Sequence, residues 1–101
     1  MKKYKFYRNK VTRNHPSLEL SSNIKEWKNM ELTSHPTRRG RYISLKQNPG
    51  PDKTKKSYVR KYIRKDPIRT RGELMEHFNL SEEDMKQIEE FLINHLKNKK
   101  S

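Results

Sequence analysis

The chain has 101 residues, of which 29% are hydrophobic and none is cysteine, so it can bury one small core and cannot form disulfides or thiolate zinc sites. Its 25 Lys and Arg exceed its 12 Asp and Glu and give a formal net charge of +13, which points to an anionic partner. No apolar run reaches the ~20 residues needed to cross a bilayer, and no signal-peptide core follows the basic start. We therefore predict a cytoplasmic protein with no membrane partner.

The charge is concentrated in the first part of the chain. Residues 1–70 hold 20 Lys and Arg against 5 Asp and Glu, a net charge of +15, whereas residues 71–101 hold 5 against 7, a net charge of −2. This asymmetry indicates a cationic binding body with a supporting C-terminal segment, and it argues against a uniformly charged disordered tail. We predict that both parts belong to one domain, residues 1–101.

Alternating apolar and polar residues predict short strands through the cationic body. They fall at residues 4–7, 15–20, 24–33, 41–45 and 57–64, with turn residues at 21–23 and 48–52. The last of these segments is the richest in β-branched and aromatic residues, which favour strands. A continuous strand there would share one face among Tyr58, Arg60, Tyr62 and Arg64.

Two capping boxes predict two helices at the C-terminus. Thr70 precedes Glu73 by three residues, and Ser81 stands in the same relation to Asp84. Apolar residues spaced by three and four over residues 85–96 mark the second helix as amphipathic. Short strands followed by packed helices define an α+β domain with a curled sheet or a partly open barrel.

Four segments form an ordered set along the chain. They are His15-Pro16-Ser17-Leu18-Glu19-Leu20, then Leu32-Thr33-Ser34, then Lys56-Ser57-Tyr58-Val59 with Tyr62-Ile63-Arg64-Lys65-Asp66, and finally the helical region from Leu74 to Leu96. Taken together, and over roughly residues 12–97, they resemble the MazF/PemK family of small toxins.

The resemblance implies a small SH3-like, strongly curved antiparallel β-barrel at residues 3–66, followed by a C-terminal helix pair at residues 70–98. It implies a metal-independent endoribonuclease toxin that cleaves single-stranded RNA, needs no cofactor, is restrained by an acidic antitoxin and forms a homodimer. Thr33 occupies the place of the family's catalytic Thr, and His15 stands where the family has an Arg before Pro.

Chemistry without a metal requires a proton acceptor, a proton donor and a group that stabilises charge on the phosphate. Histidine titrates near neutrality, which makes His15 a candidate for proton transfer, and Thr33 is the candidate hydrogen-bond donor to the phosphate. The structural alternatives are a histidine at the start of a strand and a threonine favoured by its β-propensity. From the residues alone, both interpretations stay open.

Cationic and aromatic side chains predict an RNA-binding surface around these two residues. Gly40 lies inside an arginine cluster, where the absence of a side chain would let the backbone approach a phosphate. The candidate RNA-binding residues are Arg13, Ser34, Arg38, Arg39, Arg41, Lys55, Lys56, Tyr58 and Arg60. The alternatives are a solvated cationic face and, for Tyr58, a place in the core.

A second function uses the same cations without chemistry. A non-catalytic nucleic-acid- or ribosome-binding protein of a phage or mobile element would also be small and basic, and RNA would again be its partner. We interpret His35, His77 and His95 as surface or structural histidines, and we predict no metal site.

Overall fold

The computed structural model of the chain describes residues 4–99. Seven strands and one α-helix follow one another, with two short 3-10 turns between them. The elements are β1 Phe6–Asn9, β2 His15–Ser22, β3 Glu26–Thr33, β4 Tyr42–Ser44, β5 Tyr58–Arg60, β6 Arg64–Pro67, β7 Arg71–Leu74 and α1 Glu82–Lys99, with 3-10 turns at Lys10–Thr12 and Ile68–Thr70. The α+β class is therefore confirmed. Within residues 4–99, no helix combines the length and the apolar character needed to cross a membrane.

All neighbouring strands are antiparallel, and they run in the order β4-β5-β3-β2-β1-β7. The β2–β3 hairpin is the centre of the sheet, and Ser17 lies opposite Glu31 in its register. β3 is long enough to pair twice along its other edge, because its first half pairs with β6 and its last two residues pair with β5. The predicted hairpin is thus confirmed, and its two strands carry most of the sheet.

A short connection makes the sheet curl. β6 pairs with β3, and β7 pairs with β1 on the far side of β2, yet only Ile68–Thr70 separate the two strands. A flat sheet would hold β6 and β7 about 19 Å apart, whereas the chain from Pro67 to Arg71 reaches at most about 14 Å. The sheet must therefore bend strongly over β2.

The curled, open sheet predicted from the residue patterns is found, whereas the β-barrel that the resemblance implies is wrong, because the sheet does not close. The two ends of the strand order, β4 and β7, do not pair with each other in the described part of the chain, so the sheet keeps open edges. Its last strand also lies beyond residue 66, the predicted end of the barrel. The strands at the edges have only three or four residues, which is too little ladder to close a cylinder.

The predicted helix pair is also wrong, because the first capping box does not start a helix. Its residues enter β7, and the backbone N–H of Met75 donates to the carbonyl of Phe6 at 2.8 Å. Gly72 permits this close pairing, since a Cβ there would lie 2.8 Å from the backbone oxygen of Arg8. Pairing with the open edge of β1 outweighs a local signal only four residues long.

The strand predicted at residues 57–64 is interrupted. β5 ends at Arg60, and the N–H of Lys61 then donates to the carbonyl of Arg41, while the N–H of Tyr62 turns back to the carbonyl of Arg60. The chain re-enters the sheet only at Arg64, against a different part of β3. The predicted single face shared by Tyr58, Arg60, Tyr62 and Arg64 is therefore wrong.

The second capping box is confirmed at the start of α1. The hydroxyl of Ser81 accepts the N–H of Asp84 at 3.2 Å, and the helix lays Met85 and Ile88 on the apolar face of the sheet. Asp84 is fully buried and accepts the backbone N–H groups of Lys46 and Gln47 at 2.8 and 3.1 Å. The apolar core on this face consists of Tyr4, Phe6, Leu18, Met30, Leu32, Ile43, Leu45, Val59, Met85 and Ile88.

A group of polar side chains, here called the polar interior, consists of the buried Asn9, Ser17, Asn29 and Asp66 together with Arg64, whose side chain is partly exposed. One carboxylate oxygen of Asp66 accepts the amides of Asn9 and Asn29 at 3.2 and 3.0 Å, and Arg64 donates to both carboxylate oxygens at 3.1 and 3.2 Å. Burial alone would raise the pKa of the Asp66 carboxyl, but the hydrogen bonds from Arg64, Asn29 and Asn9 outweigh it and hold that pKa below its ordinary value. These contacts join β1, β3 and β6 across the curl.

Candidate functional site

One cleft of about 820 Å³ opens where β2 begins and β3 ends. It is flanked by the turn before β2 and by the loops on either side of β4. Of the residues predicted from the sequence, the cleft is lined by Arg13, His15, Thr33, Ser34, Lys55 and Arg60. The structure therefore gathers both candidate catalytic residues and four candidate RNA-binding residues in one place.

Strand register explains why His15 and Thr33 share the cleft. Ser17 is opposite Glu31 in the β2–β3 hairpin, so the residues two positions further on, His15 and Thr33, come to the same end of the two strands. Side chains two apart on a strand lie on the same side of the sheet. The two candidates thus face the cleft from neighbouring strands although they are separated by most of the hairpin.

A carboxylate lies beside the candidate proton acceptor. Oε1 of Glu31 is 3.8 Å from Nδ1 of His15. The side chain of His15 is 53% exposed, whereas that of Glu31 is 22% exposed. The imidazole can therefore meet a ligand in the cleft while the carboxylate stays partly covered behind it.

The hydroxyl of Thr33 is held by the backbone that follows it. Its Oγ1 accepts the N–H of His35 at 3.1 Å, and the hydroxyl of Ser34 lies 2.8 Å from Nδ1 of His35. Because a hydroxyl has one hydrogen and two acceptor sites, the hydrogen of Thr33 remains available for donation. Thr33 can therefore donate to an oxygen in the cleft without giving up this backbone contact.

The turn before β2 presents Arg13 in a left-handed backbone conformation. Arg13 and Asn14 have φ values of 59° and 64°, and a non-glycine residue adopts this region only at a free-energy cost. Asn14 also accepts, at its carbonyl, a 3.1 Å hydrogen bond from the guanidinium of Arg8. The strained turn thus places two arginines along the same wall of the cleft.

A hydrogen-bonded loop brings Lys55 to the cleft. Asn48 is buried, donates its side-chain amide to the carbonyl of Asp52 at 2.6 Å, and accepts the hydroxyl of Ser57 at 2.6 Å. Asp52 accepts the hydroxyl and the N–H of Thr54, and these hydrogen bonds lower the pKa of its carboxyl. The two hydrogen bonds of Asn48 therefore close the turn predicted at residues 48–52 and fix the loop that carries Lys55.

Five of the predicted RNA-binding residues lie outside the lining of the cleft. Lys56 and Tyr58 line a smaller depression on the neighbouring surface. The others, Arg38, Arg39 and Arg41, are exposed in the loop before β4. The cationic surface is therefore wider than the cleft itself.

The loop before β4 explains the glycine in the arginine cluster. A Cβ on Gly40 would lie 2.5 Å from Cε2 of Tyr42, so the ring closes over this residue. The phenol oxygen of Tyr42 lies 3.2 Å from the hydroxyl of Thr37 and accepts the Thr37 N–H at 3.3 Å, and these hydrogen bonds lower its pKa. The absence of a side chain at Gly40 leaves room for the ring of Tyr42, which lines the cleft. Packing against Tyr42 therefore explains this glycine.

Sequence reasoning missed several residues of the site. Arg8, Glu31, His35 and Tyr42 all line the cleft. The alternation of β3 could have identified Glu31, which is two residues before Thr33 and therefore on the same side of the strand. Arg8 and His35 carried no comparable signal, because their positions depend on which strands pair.

Comparison with protein-family models, with curated proteins and with solved structures finds no match to this chain. The resemblance to the MazF/PemK family therefore stays a prediction. Within residues 4–99, no three His, Asp or Glu side chains converge in a way that could hold a metal ion. The side chains that line the cleft include two histidines, several hydroxyls and four cations.

Proposed function

We propose that this protein is a metal-independent endoribonuclease that cleaves single-stranded RNA in the cleft. One observation carries the proposal: His15 and Thr33 line the same cleft as Arg8, Arg13, Lys55 and Arg60. The cations supply a binding site for a phosphate chain. The histidine and the hydroxyl supply groups that can act on one linkage within it.

The reaction that fits these groups is an attack by RNA on its own backbone. The 2′-oxygen forms a bond to phosphorus while the bond between phosphorus and the 5′-oxygen breaks. One proton leaves the 2′-hydroxyl and another reaches the departing 5′-oxygen, so the products are a 2′,3′-cyclic phosphate and a 5′-hydroxyl. The nucleophile belongs to the substrate, and the protein has to move protons and stabilise charge.

His15 takes the proton of the 2′-hydroxyl in this scheme. Thr33 donates a hydrogen bond to a non-bridging phosphate oxygen, and Arg13 and Lys55, which line the same cleft, neutralise the charge that develops there. His35 lines the cleft beside Thr33 and is the candidate that returns a proton to the 5′-oxygen. Two histidines divide the two proton transfers between them.

The surroundings of the cleft favour a single strand over a duplex. Tyr62 is 55% exposed, and the guanidinium of Arg60 lies over its ring at 5.7 Å from the centroid. Arg60 also lines the cleft, so the stacked pair of Arg60 and Tyr62 extends the site from the cleft to the exposed surface beside it. An exposed aromatic ring next to a cation suits an unpaired base, which offers a free face for stacking.

A cleavage assay in EDTA tests the proposal. Purified protein incubated with a mixed single-stranded RNA pool should generate fragments that end in a cyclic phosphate. The variants His15→Ala and Thr33→Ala should each slow cleavage by about 10²- to 10⁴-fold, the usual contribution of a group that transfers or stabilises a proton. His77→Ala is the matched control, because this exposed histidine lies outside the cleft.

Two outcomes would contradict the proposal. RNA that stays intact at a large excess of protein would exclude the reaction. Cleavage that continues unchanged in the His15→Ala/Thr33→Ala double variant would place the chemistry elsewhere or in a contaminant. Circular dichroism of each variant separates lost chemistry from lost folding.

A second candidate function is binding without chemistry, by a nucleic-acid- or ribosome-binding protein. The observation that favours it is the width of the cationic surface, because Arg38, Arg39 and Lys56 lie beyond the cleft. A binder would hold RNA with a strong dependence on salt and leave it intact. The wild type and the His15→Ala/Thr33→Ala variant would then bind equally well, and neither would cut.

An acidic antitoxin and a homodimer are further proposals that come from the same resemblance. The net charge of +13 supports an acidic partner. Induced expression should arrest growth if the protein is a toxin, and Thr33→Ala should relieve the arrest. Light scattering of the purified chain measures its oligomeric state directly.

A further inference from the structure

Glu31 is an unexpected residue in a cleft that gathers cations. Its carboxylate lines the same space as Arg8, Arg13, Lys55 and Arg60. A negative charge at this position repels the phosphates that the cations attract, so it weakens the binding of any polyanion. A carboxylate that opposes binding in this way calls for a role other than binding.

We propose that Glu31 is the positioning residue for His15. The carboxylate lies 3.8 Å from Nδ1 of the imidazole, which leaves the other ring nitrogen, Nε2, for a ligand in the cleft. A carboxylate in this place fixes the tautomer and orientation of a histidine and stabilises the imidazolium that forms when the ring accepts a proton. This inference rests on the proposed endoribonuclease function and assigns Glu31 a part in it.

The proton balance of the step leaves Glu31 ionised throughout. Nε2 of His15 takes the proton from the 2′-hydroxyl as the 2′-oxygen attacks phosphorus, and the ring becomes a cation. The carboxylate of Glu31 then pairs with that cation and takes no proton itself. After the products leave, the imidazolium releases its proton to water.

The two residues are held for this arrangement by the strands that carry them. Glu31 lies opposite Ser17 in the β2–β3 register, and His15 begins β2 two residues earlier. Ser17 and Asn29 of the polar interior flank the pair on the same strands, and both are fully buried. The carboxylate therefore approaches the imidazole from a rigid backbone. The present separation of 3.8 Å is longer than a hydrogen bond, and we expect it to shorten when the ring is charged.

The chain offers a matched control in Asp52. This residue also lines the cleft, is exposed, and makes its hydrogen bonds to Thr54. Glu31→Gln and Asp52→Asn each remove one negative charge from the cleft while keeping the size of the side chain. Only the first removes the charge beside His15.

The test measures binding and cleavage separately. Binding uses an oligonucleotide with a 2′-deoxy sugar at the scissile position, which cannot be cut, and cleavage uses its all-RNA counterpart under single-turnover conditions. Both variants should bind as tightly as the wild type or more tightly. Glu31→Gln should slow the single-turnover rate by about 10- to 100-fold, the usual effect of losing a partner that orients a functional ligand, whereas Asp52→Asn should change that rate by less than about twofold.

Two further variants separate positioning from folding. Glu31→Asp keeps the charge on a shorter side chain and should recover part of the lost rate. In the His15→Ala background, adding Glu31→Gln should have no further effect on the residual rate, because a positioning residue acts only through its partner. These measurements keep the inference testable if Glu31→Gln lowers the thermal midpoint.

The outcomes distinguish this inference from the proposed function. If the wild type cuts RNA and Glu31→Gln cuts it as fast as Asp52→Asn does, the role of Glu31 is wrong and the proposed function is unaffected. A Glu31→Gln variant that is slow only because its affinity has fallen overturns the role of Glu31 as well. A wild type that binds RNA and never cuts it overturns the proposed function, and the role of Glu31 with it.

Discussion

The polar interior and the cleft are neighbouring regions of the same strands, and they treat polar side chains in opposite ways. Ser17 and Asn29 belong to the first region, and His15 and Glu31, two residues away on each strand, belong to the second. In the polar interior the side chains satisfy one another, and within the described residues no buried side-chain nitrogen or oxygen lacks a hydrogen-bond partner. In the cleft, imidazole, hydroxyl and guanidinium groups face solvent.

Two arginines show what this difference means. Arg64 donates to both carboxylate oxygens of Asp66 and holds the curl together, although the sequence pattern placed it on one strand face with Tyr58 and Arg60. Arg13 lines the cleft from a left-handed turn that is itself unfavourable. A polar residue whose partners are inside the protein contributes to stability, and one turned to the cleft is available to a ligand.

The largest expected effect comes from Asp66→Asn. An amide here would turn its own N–H₂ toward donors on Arg64, Asn9 or Asn29, so a buried network would lose its common acceptor. We expect the free energy of unfolding to fall by about 3 to 5 kcal/mol, as for other broken buried ion pairs. Urea denaturation measures the change, and Asp52→Asn, an exposed carboxyl, should leave stability close to that of the wild type.

The same variant should remove an acid-sensitive part of the stability. Because the folded-state pKa of Asp66 is lowered, its carboxylate stabilises the fold above the ordinary Asp pKa, and this contribution is lost as the pH falls through the lower folded value. The gap in stability between wild type and Asp66→Asn should therefore narrow as the pH is reduced from about 5. A stability difference between wild type and Asp66→Asn that stays constant down to pH 2 would show that the negative charge of Asp66 contributes nothing to stability.

A smaller effect is expected from Gly40→Ala at the rim of the cleft. The new methyl group would displace the end of the Tyr42 ring and break its exposed hydrogen bonds with Thr37, which should lower the free energy of unfolding by about 0.5 to 1.5 kcal/mol. In a Tyr42→Ala background the ring is absent, so adding Gly40→Ala should lower the free energy of unfolding little further. Equal losses with and without the ring would place the strain in the backbone instead.

The smallest expected effect on stability is a gain. Arg13→Gly relieves the left-handed backbone and should raise the free energy of unfolding by up to about 1 kcal/mol, an effect that the extra freedom of Gly in the unfolded chain partly offsets. The same change should weaken RNA binding and reduce the slope of log affinity against log salt by about 0.7, one phosphate contact on a single strand.

Asn14→Gly is the matched control for that substitution. It relieves the same turn and leaves the charge in place, so affinity for RNA should be unchanged. If Arg13→Gly binds RNA as well as Asn14→Gly does, Arg13 makes no phosphate contact. The contrast between polar residues that contact one another inside the protein and polar residues that are available to a ligand would then not apply to Arg13.

Local signals in the sequence predicted the elements whose stability is local. Ser81 caps α1 as its spacing to Asp84 indicates, and the alternation around residues 21–23 predicts the β2–β3 hairpin. The resemblance directed attention to His15 and Thr33, which the structure brings to one cleft. The charge asymmetry came from composition alone.

Long-range pairing decided the rest. Thr70 and Glu73 have the signature of a helix start, but the open edge of β1 draws the following residues into β7. Arg8 joins the site because β1 pairs beside β2, and no spacing in the sequence records that convergence.

By itself, the sequence determined the α+β class, the cap of α1, the central hairpin and the excess of positive charge, because each depends on residues a few positions apart or on counts. Only the tertiary structure decided that the sheet stays open, that Arg64 is an internal partner, and that a carboxylate stands behind His15. The hydrogen bond between Asn9 and Asp66 joins residues 57 positions apart. Contacts of that range follow from which strands pair, which depends on the free energy of the whole chain.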